Sequence, residues 1–321
     1  MTPSVLVTRR LPEAVEDRLC RLFRTVLTPN DEPPGRTGLE AAMREHDALV
    51  STITDRIDAE LIAISGRRVR IIANFGAGTD HIDVDAARKA GIVVTNTPDA
   101  LTEATAELTI LLMLMAGRRA GEGERILRAG AWKGWGPTHM MGQGLSGRAL
   151  GLVGFGRIAR STAAKARGLG MTVRYFSRSR APAEVEDQLQ ATPAESLEDL
   201  AAVADIVSLH VPGGPATYHL VDRQLLSMMK PTAILVNTAR GSVVDEAALA
   251  EALAEGSIAA AGLDVYEREP EIEPALLSLP NAVLLPHLGS ATIEARTAMG
   301  MQAVDNLEDH FAGREPRNRV A

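Results

Sequence analysis

Short runs of β-branched and aliphatic residues alternate with helical patterns along the 321 residues of the chain. Strands that alternate with helices are joined by crossover connections, so they lie parallel in sheets that helices cover. The predicted strands are residues 5–7, 48–50, 69–73, 92–94, 150–153, 172–176, 205–209, 233–236, 259–263 and 283–285. The alternation stops and then restarts, and at roughly 100–200 residues per domain the length suits two domains. We therefore predict an α/β fold with two doubly wound parallel-sheet domains.

The interruption between the two series of strands begins with a long helical segment after Pro98. Its apolar residues recur at helical spacing, and the predicted apolar face consists of Ala104, Leu108, Leu111, Leu112 and Met115. Residues 130–147 contain glycine, tryptophan and proline, which predicts an irregular connector. Six predicted strands follow it, a number that suits a dinucleotide-binding sheet. Residues 292–311 have a helical pattern and form the last predicted element.

Composition and charge narrow the class of protein. Hydrophobic residues make up 45% and charged residues 23% of the chain, as in ordinary soluble globular proteins. The net charge is −7, and no run of lysine or arginine offers a surface to nucleic acid. The single cysteine, Cys20, excludes an intramolecular disulfide and is expected to be a small buried residue.

The chain has no segment typical of export or membrane insertion. Its first residues lack the basic and apolar regions of a signal peptide. The longest strongly apolar run, residues 110–116, is far shorter than the roughly 20 residues that span a bilayer. We expect a cytoplasmic protein that binds neither nucleic acid nor membranes.

A glycine motif follows the predicted strand at residues 150–153. The motif is Gly154-Phe155-Gly156-Arg157-Ile158-Ala159, which matches the G-x-G-x-x-G/A pattern of dinucleotide-binding sheets. Gly154 permits a tight turn, Gly156 lets a pyrophosphate approach the backbone, and Ala159 keeps the following helix close to the strand. The helix N terminus offers unpaired N–H groups and a partial positive charge to the phosphates. The motif predicts a site for a nicotinamide dinucleotide.

The end of the next predicted strand indicates which coenzyme is bound. A sheet that binds NAD usually has Asp or Glu there to hold the ribose hydroxyls, but this chain has Ser177, Arg178, Ser179 and Arg180. Guanidinium groups pair well with a phosphate dianion, and Arg180 is the weaker candidate because it lies further along. The turn predicts that NADPH is preferred over NADH. A solvated basic turn without this role is the alternative.

Three ionisable residues, Arg240, Glu269 and His287, each follow a predicted strand of the second series. Ligands of open α/β sheets bind at the carboxyl ends of the strands, so these side chains are candidates for one site. A histidine exchanges protons near neutral pH, and a neighbouring carboxylate favours its charged form. An arginine binds a keto acid and polarises its carbonyl. Each residue taken singly is more often structural, but together they form the predicted catalytic set.

Several motifs together resemble the D-isomer-specific 2-hydroxyacid dehydrogenase family, and most closely its glyoxylate/hydroxypyruvate reductases. They are GFGRI at residues 154–158, LHVP at 209–212, NTARGSVVD at 237–245, GLDVYEREP at 262–270 and PHLGSAT at 286–292. The resemblance covers essentially the whole chain. One departure is PGGP at residues 212–215, where the family more usually has Pro-Leu-Thr in a loop beside the cofactor.

The resemblance implies roles for individual residues. His287 would be the general acid/base, Glu269 its partner, and Arg240 a substrate-binding residue. The turn at residues 76–78 would hold the substrate's carboxylate with backbone N–H groups of Ala77 and Gly78, although a plain turn is the alternative. The other implied cofactor contacts are Thr105, His210, Val211, Pro212, Thr238, Ala239, Asp264 and Gly289. No metal site is implied.

The resemblance also implies an architecture and an assembly. A Rossmann cofactor domain, residues 99–288, would be inserted in a discontinuous flavodoxin-like substrate domain, residues 1–98 and 289–321, with a cleft between the two. Residues 135–142 resemble a stretch that, in glyoxylate/hydroxypyruvate reductases, places a tryptophan at the active site of the partner subunit. This implies a two-fold homodimer in which Trp135 contributes to the neighbouring substrate site. A tryptophan packed within its own subunit is the alternative.

These observations predict NAD(P)H-dependent reduction of a small 2-keto acid, glyoxylate or hydroxypyruvate, to the D-2-hydroxy acid. A dehydrogenase for phosphoglycerate or for a bulkier 2-hydroxy acid is the alternative among enzymes. A nucleotide-sensing, corepressor-like protein is the alternative from another class, and the absence of turnover would identify it.

Overall fold

The computed structural model describes residues 2–321, in which strands and helices alternate. The strands are β1 Ser4–Val7, β2 Arg24–Leu27, β3 Ala48–Ser51, β4 Ile71–Asn74, β5 Val93–Thr95, β6 Ala149–Val153, β7 Thr172–Phe176, β8 Ala191–Pro193, β9 Ile206–Leu209, β10 Ile234–Asn237, β11 Ala260–Leu263 and β12 Ala282–Leu284. The α-helices are α1 Glu13–Leu22, α2 Gly35–Glu45, α3 Ala59–Ile62, α4 Val84–Lys89, α5 Thr102–Gly117, α6 Ala120–Arg128, α7 Arg157–Gly168, α8 Ala183–Leu189, α9 Leu197–Val203, α10 Arg223–Met228, α11 Glu246–Glu255, α12 Pro274–Ser278 and α13 Ile293–Phe311. A 3-10 turn covers Gly241–Val243. None of these helices is both long enough and apolar enough to cross a membrane.

The first compact unit contains the residues up to Leu101 together with Ser290–Ala321. Its five-stranded sheet has the order β2-β1-β3-β4-β5, and all its strand pairs are parallel. This is the flavodoxin-like order. Leu49 and Ile72 pack on one face with side chains of α2, α3 and α4. Val50 and Ala73 pack on the other face with side chains of α1 and α13.

The second compact unit is Thr102–Gly289. Its seven-stranded sheet has the order β12-β11-β10-β9-β6-β7-β8, and its strand pairs are also parallel. The strand order reverses between β6 and β9, which is where doubly wound sheets bind dinucleotides. Because the strands are parallel, the residues that follow β6, β7, β9, β10, β11 and β12 all lie at one edge of this sheet.

The predicted fold class is confirmed, with both sheets parallel and alternating with helices. Every predicted strand is observed, but β2 and β8 were missed. Both lack the continuous apolar run of a central strand, since β2 begins with Arg24 and Thr25 and β8 ends with Thr192 and Pro193. The units divide at Leu101/Thr102 and Gly289/Ser290, whereas the predicted domains divide at 98/99 and 288/289.

Two predictions about burial were wrong. Cys20 is exposed, because α1 buries Val15, Glu16 and Leu19 and the next residue points about 100° away on a helix. The apolar face predicted for α5 coincides with the buried one only at Leu112. Leu111 is 44% exposed, while the buried residues are Thr105, Ala106, Thr109, Leu112, Met113, Ala116 and Gly117. Since α5 is apolar on several sides, spacing alone did not identify its buried face.

Candidate active site

The turn between β6 and α7 has the geometry of a phosphate cradle. Gly154 has φ of +89°, and a Cβ on it would lie 2.6 Å from the carbonyl oxygen of His210, so only glycine fits. A Cβ on Gly156 would meet no heavy atom within 4 Å, so there is open space at the start of α7. No side chain caps this helix, and its first amides have no partner within the helix. These residues therefore fit a pyrophosphate.

Phe155, inside the glycine motif, is a packing residue. Its ring stacks on that of Tyr175 with 4.0 Å between centroids and 13° between planes, and only 6% of the residue is exposed. The guanidinium of Arg160 lies 5.7 Å above the Phe155 ring. The side chain of Phe155 thus fixes the motif against β7, and only its backbone remains a candidate for cofactor contact.

The turn after β7 separates its two arginines. Arg178 is exposed and makes no hydrogen bond or ion pair within residues 2–321. Arg180 is engaged, because its Nε and Nη2 donate to the two carboxylate oxygens of Glu186 at 3.0 and 2.8 Å. Ser177 donates to the carbonyl of Ser179 at 2.8 Å. The geometry leaves Arg178 as the arginine available to an anion.

His210, after β9, is not a proton donor at neutral pH. Burial lowers its pKa to about 3, so the ring is uncharged. Its Nε2 lies 2.9 Å from the Ser208 hydroxyl. The loop continues through Val211 to Pro212, whose carbonyl accepts a hydrogen bond from the Thr217 hydroxyl at 2.6 Å.

A series of hydroxyl contacts joins α5 to the ends of β10 and β12. Thr105 donates to the carbonyl of Gly289 at 3.1 Å. Thr109 donates to the carbonyl of Thr105 at 2.8 Å and lies 2.9 Å from the hydroxyl of Thr238. Because the single proton of Thr109 is already donated, Thr238 is the donor between these hydroxyls. Thr105, Thr238 and Gly289, three of the predicted cofactor residues, are thus brought together, and the amide of Ala239 is held at 3.0 Å by Asn237 Oδ1.

His287 and Glu269 form the central pair of the site. The Nδ1 atom of His287 lies 2.8 Å from Glu269 Oε2, and Glu269 Oε1 accepts the amide of Tyr266 at 3.0 Å. Burial raises the pKa of Glu269, but the hydrogen bond and charge of His287, the Tyr266 amide and the Arg240 guanidinium outweigh it and hold the pKa below its usual value. The carboxylate is therefore ionised, so Nδ1 carries the hydrogen and Nε2 is the ring atom left for chemistry.

The backbone of His287 is held in an unusual conformation. Its φ is +54°, which is uncommon for a residue with a side chain. The amide of His287 donates to the carbonyl of Asp264 at 2.8 Å. The carboxylate of Asp264 accepts the amides of Leu288 at 2.7 Å and Gly289 at 2.8 Å. Asp264, predicted only as a cofactor contact, thus holds the turn that presents His287, and its pKa is raised by burial.

Arg240 reaches the same edge because the next residue is glycine. A Cβ on Gly241 would lie 1.8–2.2 Å from backbone atoms of Tyr266 and Glu267, so the segment after β10 lies directly against the segment after β11. Asn237 Nδ2 fixes the carbonyl of Arg240 at 2.8 Å. The positive charge of Arg240 lies near enough to lower the pKa of Glu269. The sequence did not predict that Gly241 permits this close approach, because the only sign of it was a glycine within the motif at residues 237–245.

In the first unit, the turn at residues 76–78 has its carbonyl groups satisfied. Asn74 Nδ2 donates to Gly76 at 3.1 Å and to Gly78 at 2.8 Å, and Asn96 Nδ2 donates to Ala77 at 2.8 Å. Within residues 2–321, the N–H groups of Ala77 and Gly78 have no acceptor. Free amides beside fixed carbonyls suit the binding of a carboxylate.

Trp135 does not pack within its own chain. It is 84% exposed in the irregular connector between α6 and β6, so the alternative of a tryptophan buried in its own subunit is excluded.

Comparisons with known proteins point to one family. A model of the family described as "D-isomer specific 2-hydroxyacid dehydrogenase, NAD binding domain" matches residues 110–289. The glyoxylate reductase of Thermococcus litoralis is 44% identical over 324 residues, covering 100% of this chain and 97% of that protein. The crystal structure of an NADPH-dependent glyoxylate/hydroxypyruvate reductase of Sinorhizobium meliloti, in complex with NADP and malonate, has a TM-score of 0.87 and 37% identity, and the match covers 100% of this chain and 97% of that chain. A glyoxylate reductase from Paecilomyes thermophila has a TM-score of 0.88 and 35% identity, and the match covers 99% of this chain and 98% of that chain.

Proposed function

Because the chain belongs to the D-isomer specific 2-hydroxyacid dehydrogenase family, we propose that it reduces glyoxylate or hydroxypyruvate to the D-2-hydroxy acid with NAD(P)H. The observation that carries the proposal is the 2.8 Å contact between His287 Nδ1 and Glu269 Oε2 at the carboxyl edge of a dinucleotide-binding sheet. The names of the relatives support the substrate class. A cytoplasmic location stays a prediction.

The second unit is assigned to the coenzyme, which supplies the hydride. The open backbone at Gly156 and the uncapped start of α7 would hold the pyrophosphate. The exposed Arg178 would pair with a 2′-phosphate, which supports a preference for NADPH. The remaining predicted cofactor contacts are Thr105, His210, Val211, Pro212, Thr238, Ala239, Asp264 and Gly289.

The proton comes from His287. Glu269 accepts Nδ1–H and stabilises the imidazolium, so Nε2 donates its proton to the substrate's carbonyl oxygen. Arg240 binds the keto acid and stabilises the negative charge that develops on that oxygen. The free amides of Ala77 and Gly78 in the first unit are assigned to the substrate's carboxylate.

A two-fold homodimer is part of the proposal. The 84% exposure of Trp135 supports a partner surface there, and we assign Trp135 to the substrate site of the neighbouring subunit.

The test is steady-state kinetics with both coenzymes and a panel of keto acids that includes glyoxylate, hydroxypyruvate and bulkier acids, with phosphoglycerate for the oxidation. His287→Ala should lower kcat by about 10² to 10⁴ while the Kd of the coenzyme changes little. His46→Gln, in which the exchanged histidine contacts Ser4, is the matched control and should keep full activity. Near-normal turnover in His287→Ala would end the assignment. A preference for a bulkier acid or phosphoglycerate would overturn the substrate class, and coenzyme binding without any turnover would favour a nucleotide sensor.

A further inference from the structure

Glu246 is a buried carboxylate that the proposed reaction does not use. It is the first residue of α11 and is only 7% exposed. Its Oε1 accepts the amide of Glu267 at 2.6 Å, and its Oε2 accepts the amide of Glu273 at 3.3 Å. Burying a carboxylate is costly unless its oxygens are hydrogen-bonded. The two amides offset this cost, so the carboxylate favours the backbone positions that keep both hydrogen bonds.

These two amides lie at the two ends of one segment. Residues 267–273 lie between β11 and α12 and contain Glu269, whose Oε2 contacts His287. Glu246 therefore fixes both ends of the segment that presents Glu269. Glu246 is also fixed relative to Arg240, because it is the first residue of the helix that follows Arg240. The preceding residue, Asp245, caps this helix by accepting the amide of Ala248 at 3.0 Å.

The close approach at Gly241 independently indicates that this arrangement is tight. The segment after β10 lies against the backbone of Tyr266 and Glu267, with no room for a Cβ on Gly241. Glu246, further along the segment after β10, accepts hydrogen bonds from the segment after β11. The two segments that carry Arg240 and Glu269 are thus held together at both ends.

We propose that Glu246 is a positioning residue for the reduction, which keeps Glu269 at hydrogen-bonding distance from His287 and at a fixed distance from Arg240. The inference rests on the proposed function, in which His287 donates the proton. Misplacing a reacting group by about 1 Å can cost up to about 10²-fold in rate. Loss of one amide contact should shift Glu269 by less than that, so we expect a smaller effect.

The first test is Glu246→Gln, which keeps the size of the side chain but leaves only one accepting oxygen. The kcat of the reduction should fall about 10-fold, and the Kd of NADPH should stay within about twofold. The fall of the rate with rising pH should occur at lower pH, because the Glu269 carboxylate is less well placed to favour the imidazolium of His287. Glu269→Gln, which removes that charge, should shift the profile in the same direction. This variant leaves the neighbouring charged groups unchanged. These are Asp264 and Arg240 around the His287–Glu269 pair, and Glu267 and Glu273 beside Glu246.

A matched control is Glu251→Gln. Glu251 lies on the same helix, is about half exposed and pairs with Arg223, so its exchange should leave kcat and the pH profile unchanged. A second readout uses the coenzyme-free protein, in which the NMR signal of the His287 Nδ1–H reports the hydrogen bond to Glu269. This signal should shift or broaden in Glu246→Gln and persist in Glu251→Gln.

The decisive comparison is the double variant. If Glu246 acts through Glu269, Glu246→Gln should have little further effect on kcat in the Glu269→Gln background. Full additivity, or a lower Tm with unchanged kcat, pH profile and His287 signal, would overturn the inference. If Glu246→Gln does not fold, Glu246→Asp takes its place, because it keeps the charge on a shorter side chain. Its kcat should lie between that of the parent protein and that of Glu269→Gln. If His287→Ala abolishes turnover but Glu246→Gln does not lower kcat, only the inference fails. If His287→Ala stays active, the proposed function fails first.

Discussion

The ionised carboxylate of Glu269 gives a testable pH dependence. Burial raises its pKa, but the contacts with His287, the Tyr266 amide and Arg240 hold it below its usual value, so it is negatively charged at neutral pH. In the proposed reaction His287 donates the proton, so the rate of reduction should fall as the pH rises. Glu269→Gln removes the charge that favours the imidazolium, so this fall should occur at lower pH. Glu271→Gln, an exposed carboxylate of the same segment, should leave the profile of kcat against pH unchanged, and an unchanged profile in Glu269→Gln would contradict the assigned pairing.

The sequence predicted some of these residues and not others. Arg240, Glu269 and His287 were found because each follows a strand and carries a titratable side chain, and parallel strands end at one edge. The supporting functions of Asp264 and Glu246 were not found. Both carboxylates bind backbone amides, and an amide has no residue identity that a sequence pattern could reveal. Their catalytic relevance stays a prediction.

At the level of elements, the proposed preference for NADPH depends on the turn after β7. Arg178 has no partner within residues 2–321, and a charge-assisted hydrogen bond is worth roughly 1.5–3 kcal/mol. One such bond corresponds to about 10- to 100-fold discrimination. The ratio of kcat/KM for NADPH to that for NADH should therefore fall by this factor in Arg178→Ala. Arg180→Ala is the matched control and should change the ratio less, because Arg180 is already paired with Glu186. Equal use of both coenzymes by the parent protein would show that the turn does not recognise the phosphate.

The elements that sequence patterns missed share a physical cause. The central strands are buried on both faces, and their apolar runs predicted them correctly. The edge strand β2 alternates between exposed and half-buried residues, and β8 has the sequence Ala-Thr-Pro with one buried residue, so neither has such a run. In α5 the opposite problem arose, because apolar residues surround the helix and the face with Leu111 was chosen over the face with Thr105 and Thr109.

On the scale of the whole molecule, the chain has an apolar surface that its own core does not use. Leu111 and Leu114 of α5 are 44% and 37% exposed, and Leu127 of α6 is 62% exposed. Three apolar residues between α6 and β6 are also exposed, namely Trp132 at 52%, Trp135 at 84% and Met141 at 67%. The helix α6 buries no residue, although short helices gain most of their stability from packing. The concentration of exposed apolar residues in this part of the chain supports the proposed interface. The sequence predicted a homodimer only through its resemblance to a family. A sequence does not show which apolar residues stay exposed, because that depends on the folded structure.

A homodimer that covers this surface predicts a mass of twice 34.2 kDa in light scattering. The double variant Leu127→Glu with Met141→Glu should dissociate it, because two charges would have to be desolvated in an apolar interface. The matched control is Leu277→Glu on α12, where the leucine is also 62% exposed, and it should leave the dimer intact. If Trp135 contributes to the neighbouring substrate site, Trp135→Ala should raise the KM of the keto acid while the Kd of the coenzyme stays constant, and the dissociated double variant should show the same rise. A parent protein that scatters as a 34.2 kDa monomer would refute the dimer. A dimer in which Trp135→Ala leaves the KM unchanged would retain the interface and refute only the role of the tryptophan.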